Sequence, residues 1–254
     1  MQLLGKKAGR DVILGQVNST IGVFFDVDDT LYDHLDPLRF ALQHVLLLAE
    51  EFPYESAYHR VRYYSDLLTE QNRNVNAVDG VAILEEMRSK RYILALEEFG
   101  ISLTKEQAVE VQSQYLARQF KIKPYDGAIV LLKQLQVQGV TVGLITNGPL
   151  EHQMRKIKSL CLDDVILDNH IFVSGGVGLD KPDPRLFAYV NEMTETTAEH
   201  SYYIGDTWRN DVVGAMNAGW NMLWFNPRNA QPESNHTPHY IVKNYEEISR
   251  ILLK

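Results

Sequence analysis

The sequence predicts an α/β protein: a doubly wound parallel sheet, interrupted after its first strand by an all-α unit. Three observations lead there. A five-residue uncharged run, "IGVFF" at 21–25, stops abruptly at Asp26 and reads as a buried strand. Roughly residues 33 to 121 then show helical periodicity and hardly a strand signal. After Pro124, short apolar runs alternate with amphipathic helices, the pattern of a parallel sheet covered on both faces.

Each element has a local cause. Asp36 and Pro37 ahead of "LRFALQHVLLLAEEF" supply an N-cap and a first-turn proline for one helix. "YESAYHRVRYYSDLLTEQ" after Pro53 predicts a second, and "NRNVNAVDG" at 72–80 a polar loop. "VAILEEMRSKRYILALEEFG" predicts a third helix closed by Gly100, and Thr104 with Gln107 has capping-box spacing for a fourth. "VTVGLIT" at 140–146 is β-branched and apolar, hence a buried strand, and Pro149 opens the helix after it. "HIFVSG" at 170–175 and "SYYIGD" at 201–206 are further strands, with a helix between them that starts at Asp183 and Pro184. A helix through Ala215 stops at Gly219, and "NMLWFN", "YIV" and "EEISRILLK" give two short strands and a closing helix. The expected division is a core of residues 1–32 and 122–254 and a helical cap of 33–121.

Composition narrows the function. Apolar residues make up 45% and charged residues 23%, which suits a soluble globular enzyme. Lys+Arg of 25 against Asp+Glu of 33 gives −8, the wrong sign for a general nucleic-acid binder. Cys161 is the only cysteine, so no intramolecular disulfide or thiolate cluster forms. No apolar run approaches the roughly 20 residues that cross a bilayer. Lys6, Lys7 and Arg10 have no secretory apolar stretch behind them, so a cytoplasmic location is expected. Residues 1–20 stay unassigned, and oligomeric state leaves no signal.

In open α/β sheets, ligands bind outside the carboxyl ends of the strands. The first strand runs into "DVDDT" (26–30), the second ends in "TNG" (146–148), the third leads to Lys181 in "KPD", and the fourth ends in "GDTWRND" (205–211). Acid, hydroxyl, amine and acid therefore collect along one edge. Taken in order, these four motifs resemble the haloacid dehalogenase-like hydrolase superfamily. Asp26, Asp28 and Thr30 match its first motif, Thr146 its second, Lys181 its third, and Gly205, Asp206, Asn210 and Asp211 its fourth. The likeness spans about residues 21–226, and the helical insertion falls where the helical-cap phosphatase subgroup carries its cap.

The resemblance implies a Rossmann-like core and a Mg²⁺-dependent phosphomonoester hydrolase acting on a small phosphorylated metabolite. Asp26 would be the nucleophile that takes the phosphoryl group, and Asp28 the general acid and base. In a continuing strand these two side chains would point to opposite faces, so the backbone must coil just after Asp26. Two carboxylates about 4 Å apart repel by roughly 4 kcal/mol at an effective dielectric near 20. A hard divalent cation answers that problem. By resemblance its ligands would be Asp26, the Asp28 carbonyl and Asp206, with Asp211 behind them. Lys181, the Thr146 hydroxyl and the amides of Asn147 and Gly148 would hold phosphoryl oxygens.

Other residues have plainer readings. Asp29 reads as a solvated or locally hydrogen-bonded turn residue, and Thr30 as support for Asp26. The glycines of "SGGVGLDK" lack the spacing of a phosphate loop and read as turns that aim Lys181. His236 and His239 lack further ligands at metal spacing, and Cys161 reads as a buried apolar side chain. Arg39, Arg60, Arg62, Arg88 and Arg91 of the cap are candidates for the substrate's distal end. Three rival activities remain: a phosphomutase, a metal-independent haloacid dehalogenase, to which Asp28 would be superfluous, and a phospho-accepting signalling module. The last is usually about half this length and lacks a cap.

Overall fold

The computed structural model describes residues 20–71 and 80–253. Six parallel strands form one sheet in the order β3-β2-β1-β4-β5-β6: β1 Gly22–Phe25, β2 Thr141–Thr146, β3 Ile171–Val173, β4 Ser201–Gly205, β5 Asn221–Phe225 and β6 Tyr240–Val242. This is the doubly wound order 3-2-1-4-5-6, whose direction of winding reverses between β1 and β4. The loops after those two strands carry Asp26 and Asp206, so the topology brings both acids to the switch point.

Side-chain alternation along β1 builds the two layers. Val23 and Phe25 enter a core with Leu131, Leu132, Leu144, Ile157 and Ile248, under α5 Ala128–Val137, α6 Leu150–Ser159 and α10 Tyr245–Leu252. Phe24 points the other way, into an aromatic core of Phe187, Tyr203, Trp208, Trp220 and Trp224. That face is covered by α8 Pro184–Thr194 and α9 Val213–Asn217, the latter entered through a π-helical turn, Trp208–Val212. A four-residue turn of helix, α7 Ser174–Val177, follows β3.

Between β1 and β2 the chain forms α1 Leu35–Leu46, α2 Tyr54–Gln71, α3 Gly80–Glu97 and α4 Lys105–Arg118. They close a third core of Leu38, Leu42, Tyr58, Tyr92, Leu96 and Val111. The expected capping box is present: the Gln107 amide donates to Thr104 Oγ1, and the Gln107 side chain accepts from the Thr104 amide. Gly100 has φ +73°, the left-handed closure expected after α3.

Three readings change. The first helix ends at Leu46 and not near Phe52, because Leu47 turns left-handed at φ 52°. Its N-cap position is His34, so Asp36 and Pro37 sit within the first turn and not at the cap and the first helical position. Helix α5 went unread, although Ala128, Leu131, Leu132 and Leu135 are buried at helical spacing. Of the polar loop expected at 72–80, residues 72–79 lie outside the described residues, as do 1–19, and Gly80 already opens α3. No helix among the described residues is long and apolar enough to cross a membrane.

Candidate active site

The strand-end acids do not lie on a continuing strand. After Phe25 the chain coils: the Leu31 amide donates to Val27 O at 2.9 Å, and Asp29 adopts φ 60°. Asp26 and Asp28 thereby escape the opposed orientation that a strand would impose.

Asp26 meets Lys181. The Lys181 ammonium is 5% exposed and donates to Asp26 Oδ1 at 2.7 Å, Asp211 Oδ1 at 2.7 Å and Tyr203 OH at 2.8 Å. Burial alone would lower its pKa, but Asp211 and Asp26 hold it above the ordinary lysine value. Lys181 is positioned through its backbone: its amide donates to Asn147 Oδ1 and its carbonyl accepts from Asn147 Nδ2, each at 2.9 Å. Asn147 thus ties the end of β2 to the lysine loop.

One oxygen each from Asp26, Asp206 and Asp211 lie within 4.8 Å of one another. Burial pushes Asp26 up to about 7, and burial with the neighbouring Asp29, Asp211 and Asp26 pushes Asp206 well above the ordinary carboxylate range. One ammonium among three converging acids leaves surplus negative charge, and every donor atom is a hard oxygen. These residues fit a Mg²⁺ ion. Asp211 is 1% exposed and already engaged, with Oδ1 on Lys181 and Tyr203 and Oδ2 on the Thr207 amide at 2.8 Å, which suits it to stand behind the metal.

The glycine ahead of Asp206 has a steric cause. A Cβ on Gly205 would lie 2.5 Å from Asp211 Cγ. Gly205→Ala is therefore expected to push Asp211 off Lys181, lowering stability by about 1–3 kcal/mol and removing most activity. Thermal unfolding and a turnover assay on the same preparation check both effects; unchanged values would show that the contact relaxes freely.

The carboxylate of Asp28 stands outside the acid trio. It accepts from Lys156 Nζ at 2.7 and 2.9 Å, Gln153 Nε2 at 3.2 Å and Tyr32 OH at 2.6 Å, with His34 Nδ1 3.4 Å away. Burial would raise its pKa, but Lys156 and His34 hold it well below the usual range. Lys156 and Gln153 were missed in the sequence. Their signal was position: they sit one turn apart on α6 after "TNG", and both are buried polar residues on a helix face that otherwise turns inward.

Thr146 and Gly148 take different places. Gln153 Nε2 donates to Thr146 Oγ1 at 2.8 Å, which leaves the hydroxyl hydrogen free to donate elsewhere. The Gly148 amide instead donates to Ser174 Oγ at 3.0 Å, so it is not the free phosphate donor expected from the sequence.

Asp29 also differs from its reading as a solvated turn residue. It is 1% exposed and accepts from Arg228 Nη1 at 2.8 Å, Tyr58 OH at 2.5 Å, Arg62 Nη1 at 3.2 Å and the His34 amide at 3.1 Å. Arg228 continues to Asp33 at 2.6 Å, so one buried cluster joins the first loop, α2 and the loop after β5. Cys161 is exposed, at φ 54°, and not buried as expected.

A family model for haloacid dehalogenase-like hydrolases matches residues 23–225. The HAD-hydrolase YfnB of Bacillus subtilis is 27% identical over 237 residues, 91% of this chain and 94% of YfnB. The crystal structure of YfnB, bound to magnesium and described as revealing interdomain movement, superposes with a TM-score of 0.66 at 25% identity, covering 92% of this chain and 99% of that one. A glyceraldehyde 3-phosphate phosphatase of Methanothermobacter thermautotrophicus is 25% identical over 84% of this chain and 89% of its own length. The L-2-haloacid dehalogenase of Xanthobacter autotrophicus shares the fold, with a TM-score of 0.66 at 15% identity over 92% of this chain and 98% of that one. With its motifs at the four strand ends and the match spanning most of its length, the chain belongs to the haloacid dehalogenase-like hydrolase family.

Proposed function

We propose that the protein is a Mg²⁺-dependent phosphomonoesterase acting on a small phosphorylated metabolite through an aspartyl-phosphate on Asp26. The observation that carries this reading is the buried Lys181 ammonium shared by Asp26 and Asp211 at the sheet's switch point, beside Asp206. Phosphatases among the relatives support it.

In the first half, an Asp26 oxygen attacks phosphorus and the bond to the ester oxygen breaks, the departing alkoxide taking the proton that Asp28 carries once substrate has entered; without substrate, Lys156 and His34 hold Asp28 ionised. In the second, ionised Asp28 takes a proton from water, whose oxygen attacks the same phosphorus and frees Asp26 and inorganic phosphate. Lys181 and the Thr146 hydroxyl hold the equatorial oxygens through both halves. Asp26, Asp206 and the Asp28 carbonyl would hold Mg²⁺, which supplies the positive charge that these carboxylates and a phosphate dianion require.

The test is phosphate release from p-nitrophenyl phosphate. Activity is expected with Mg²⁺, absent after EDTA treatment, and restored by added Mg²⁺. Activity that persists in EDTA, or chloride release from 2-chloropropionate in its place, would overturn the reading. Transfer of the phosphoryl group to a sugar without free phosphate would make the protein a mutase.

A further inference from the structure

A cavity of about 120 Å³ lies between α2, α3, α4 and the start of α1, lined by His34, Tyr58, Arg62, Arg91, Tyr92 and Tyr115 among others. It adjoins the reacting groups. His34 lies against Asp28 through Nδ1, and its Nε2 meets Tyr115 OH at 2.9 Å. Tyr58 and Arg62, on the same wall, hold Asp29. A leaving group attached to a phosphate at Asp26 and protonated by Asp28 would extend into this space.

Among the described residues, the cavity holds one cationic side chain with no carboxylate partner. The other cations buried around the site each face a carboxylate: Lys156 faces Asp28, Lys181 faces Asp26 and Asp211, and Arg228 faces Asp29 and Asp33. Of the two arginines in the cavity wall, Arg62 pairs with Asp29. Arg91 is held by neutral groups alone among the described residues: Tyr92 OH and Gln112 Oε1 at 2.8 Å, and Ser65 Oγ at 3.5 Å. Its guanidinium lies over the Tyr92 and Tyr115 rings, and its Nε is buried without any acceptor. A guanidinium partly withdrawn from water is costly unless an anion joins it; Arg91 is half-buried, and three neutral oxygens and two ring faces fix its position without neutralising it.

Resting on the phosphatase reading above, we propose that Arg91 receives a carboxylate on the leaving group, so that the substrate is a small phosphorylated hydroxy acid. Size agrees. At roughly 30 Å³ per water, a cavity of this volume has room for about four water molecules, enough for a carboxylate on a few carbons and too little for a nucleoside. The phenols of Tyr58 and Tyr115 and the His34 ring offer polar contacts for a hydroxyl between carboxylate and ester. Of the cap arginines named from the sequence, Arg60 is engaged with Glu98 at 2.5 Å on the surface, Arg39 lies over Tyr54 and Arg88 lines other clefts, which leaves Arg62 and Arg91 in this cavity.

The test compares 3-phosphoglycerate with glycerol 3-phosphate, which differ only in a carboxylate against a hydroxymethyl group, with p-nitrophenyl phosphate as reference. The expected kcat/KM ratio favours the acid by about 10- to 100-fold, the range of a hydrogen bond to a charged group. In Arg91→Gln that ratio falls to near one; because it is taken within one preparation, any loss of folded protein cancels. Reference hydrolysis without a tenfold preference for the acid overturns this inference alone. A preference that survives Arg91→Gln overturns the assignment to Arg91. No phosphate from any of the three removes the phosphatase reading, and this inference with it.

Discussion

Asp26→Asn is expected to lower phosphate release by on the order of 10⁴-fold or more, the scale on which loss of a covalent nucleophile falls. The variant should nonetheless fold. Asparagine keeps the shape of the side chain, and Lys181 retains Asp211 and Tyr203 as partners. Stability should move in the opposite direction from activity. Burial raises the Asp26 pKa to about 7, above its value in an unfolded chain, so the ionisation of Asp26 opposes folding by an amount that builds as pH rises from the unfolded value and is fully present above about 7. The neutral amide removes that opposition. In EDTA near neutral pH, the Tm of Asp26→Asn should equal or exceed that of the parent protein, the trade expected where a site is held for chemistry. A variant that is inactive and also markedly less stable would show Asp26 to be a structural anion for Lys181 and not a nucleophile.

Asp28→Asn separates the two carboxylates further. A group that protonates the leaving oxygen matters most for a poor leaving group, so alkyl phosphates should lose more rate than aryl phosphates. Uniform loss across leaving groups would give Asp28 a purely structural role beside Lys156.

The site was legible in outline because its chemistry sits at strand ends. β-branched runs, the capping box at Thr104 and the order of the motifs fix which loops converge, and the switch point between β1 and β4 supplies the rest. Partners from remote parts of the chain were not legible. Lys156 and Gln153 belong to a helix whose residues read as an ordinary amphipathic surface until the helix is docked. Arg228 lies 199 residues from Asp29 in the chain, and no local pattern couples them. Asp29 was misread for the same reason: an aspartate in a turn is normally solvated, and only tertiary structure brings two guanidiniums and a phenol to it. The changed reading at Cys161 reflects a left-handed residue just past α6, where flanking leucines face inward and the cysteine itself turns out.

Asp29→Asn is the change expected to cost the most stability. Asparagine accepts a left-handed φ as readily as aspartate, so backbone strain does not enter. What is lost is the single anion that joins Arg228, Arg62 and Tyr58. Arg228 keeps Asp33, at the more exposed end of the cluster, but Arg62 has no other carboxylate in ion-pair contact among the described residues. Removing one member of a buried charge cluster costs about 3–5 kcal/mol. At roughly 2–4 °C per kcal/mol for a chain of this size, Tm should fall by roughly 6–20 °C. Because Asp29 is the point where α2 meets the loop carrying Asp26 and Asp28, the cap should also seat less firmly. KM should then rise more than kcat falls, in contrast to Asp26→Asn, which acts on kcat. Adding Arg228→Met to Asp29→Asn removes one stranded cation and should recover part of the lost Tm, a coupling that a double-mutant cycle reads directly. A loss in the single variant of less than about 2 °C would mean that water reaches Asp29 in solution and that the cluster contributes little.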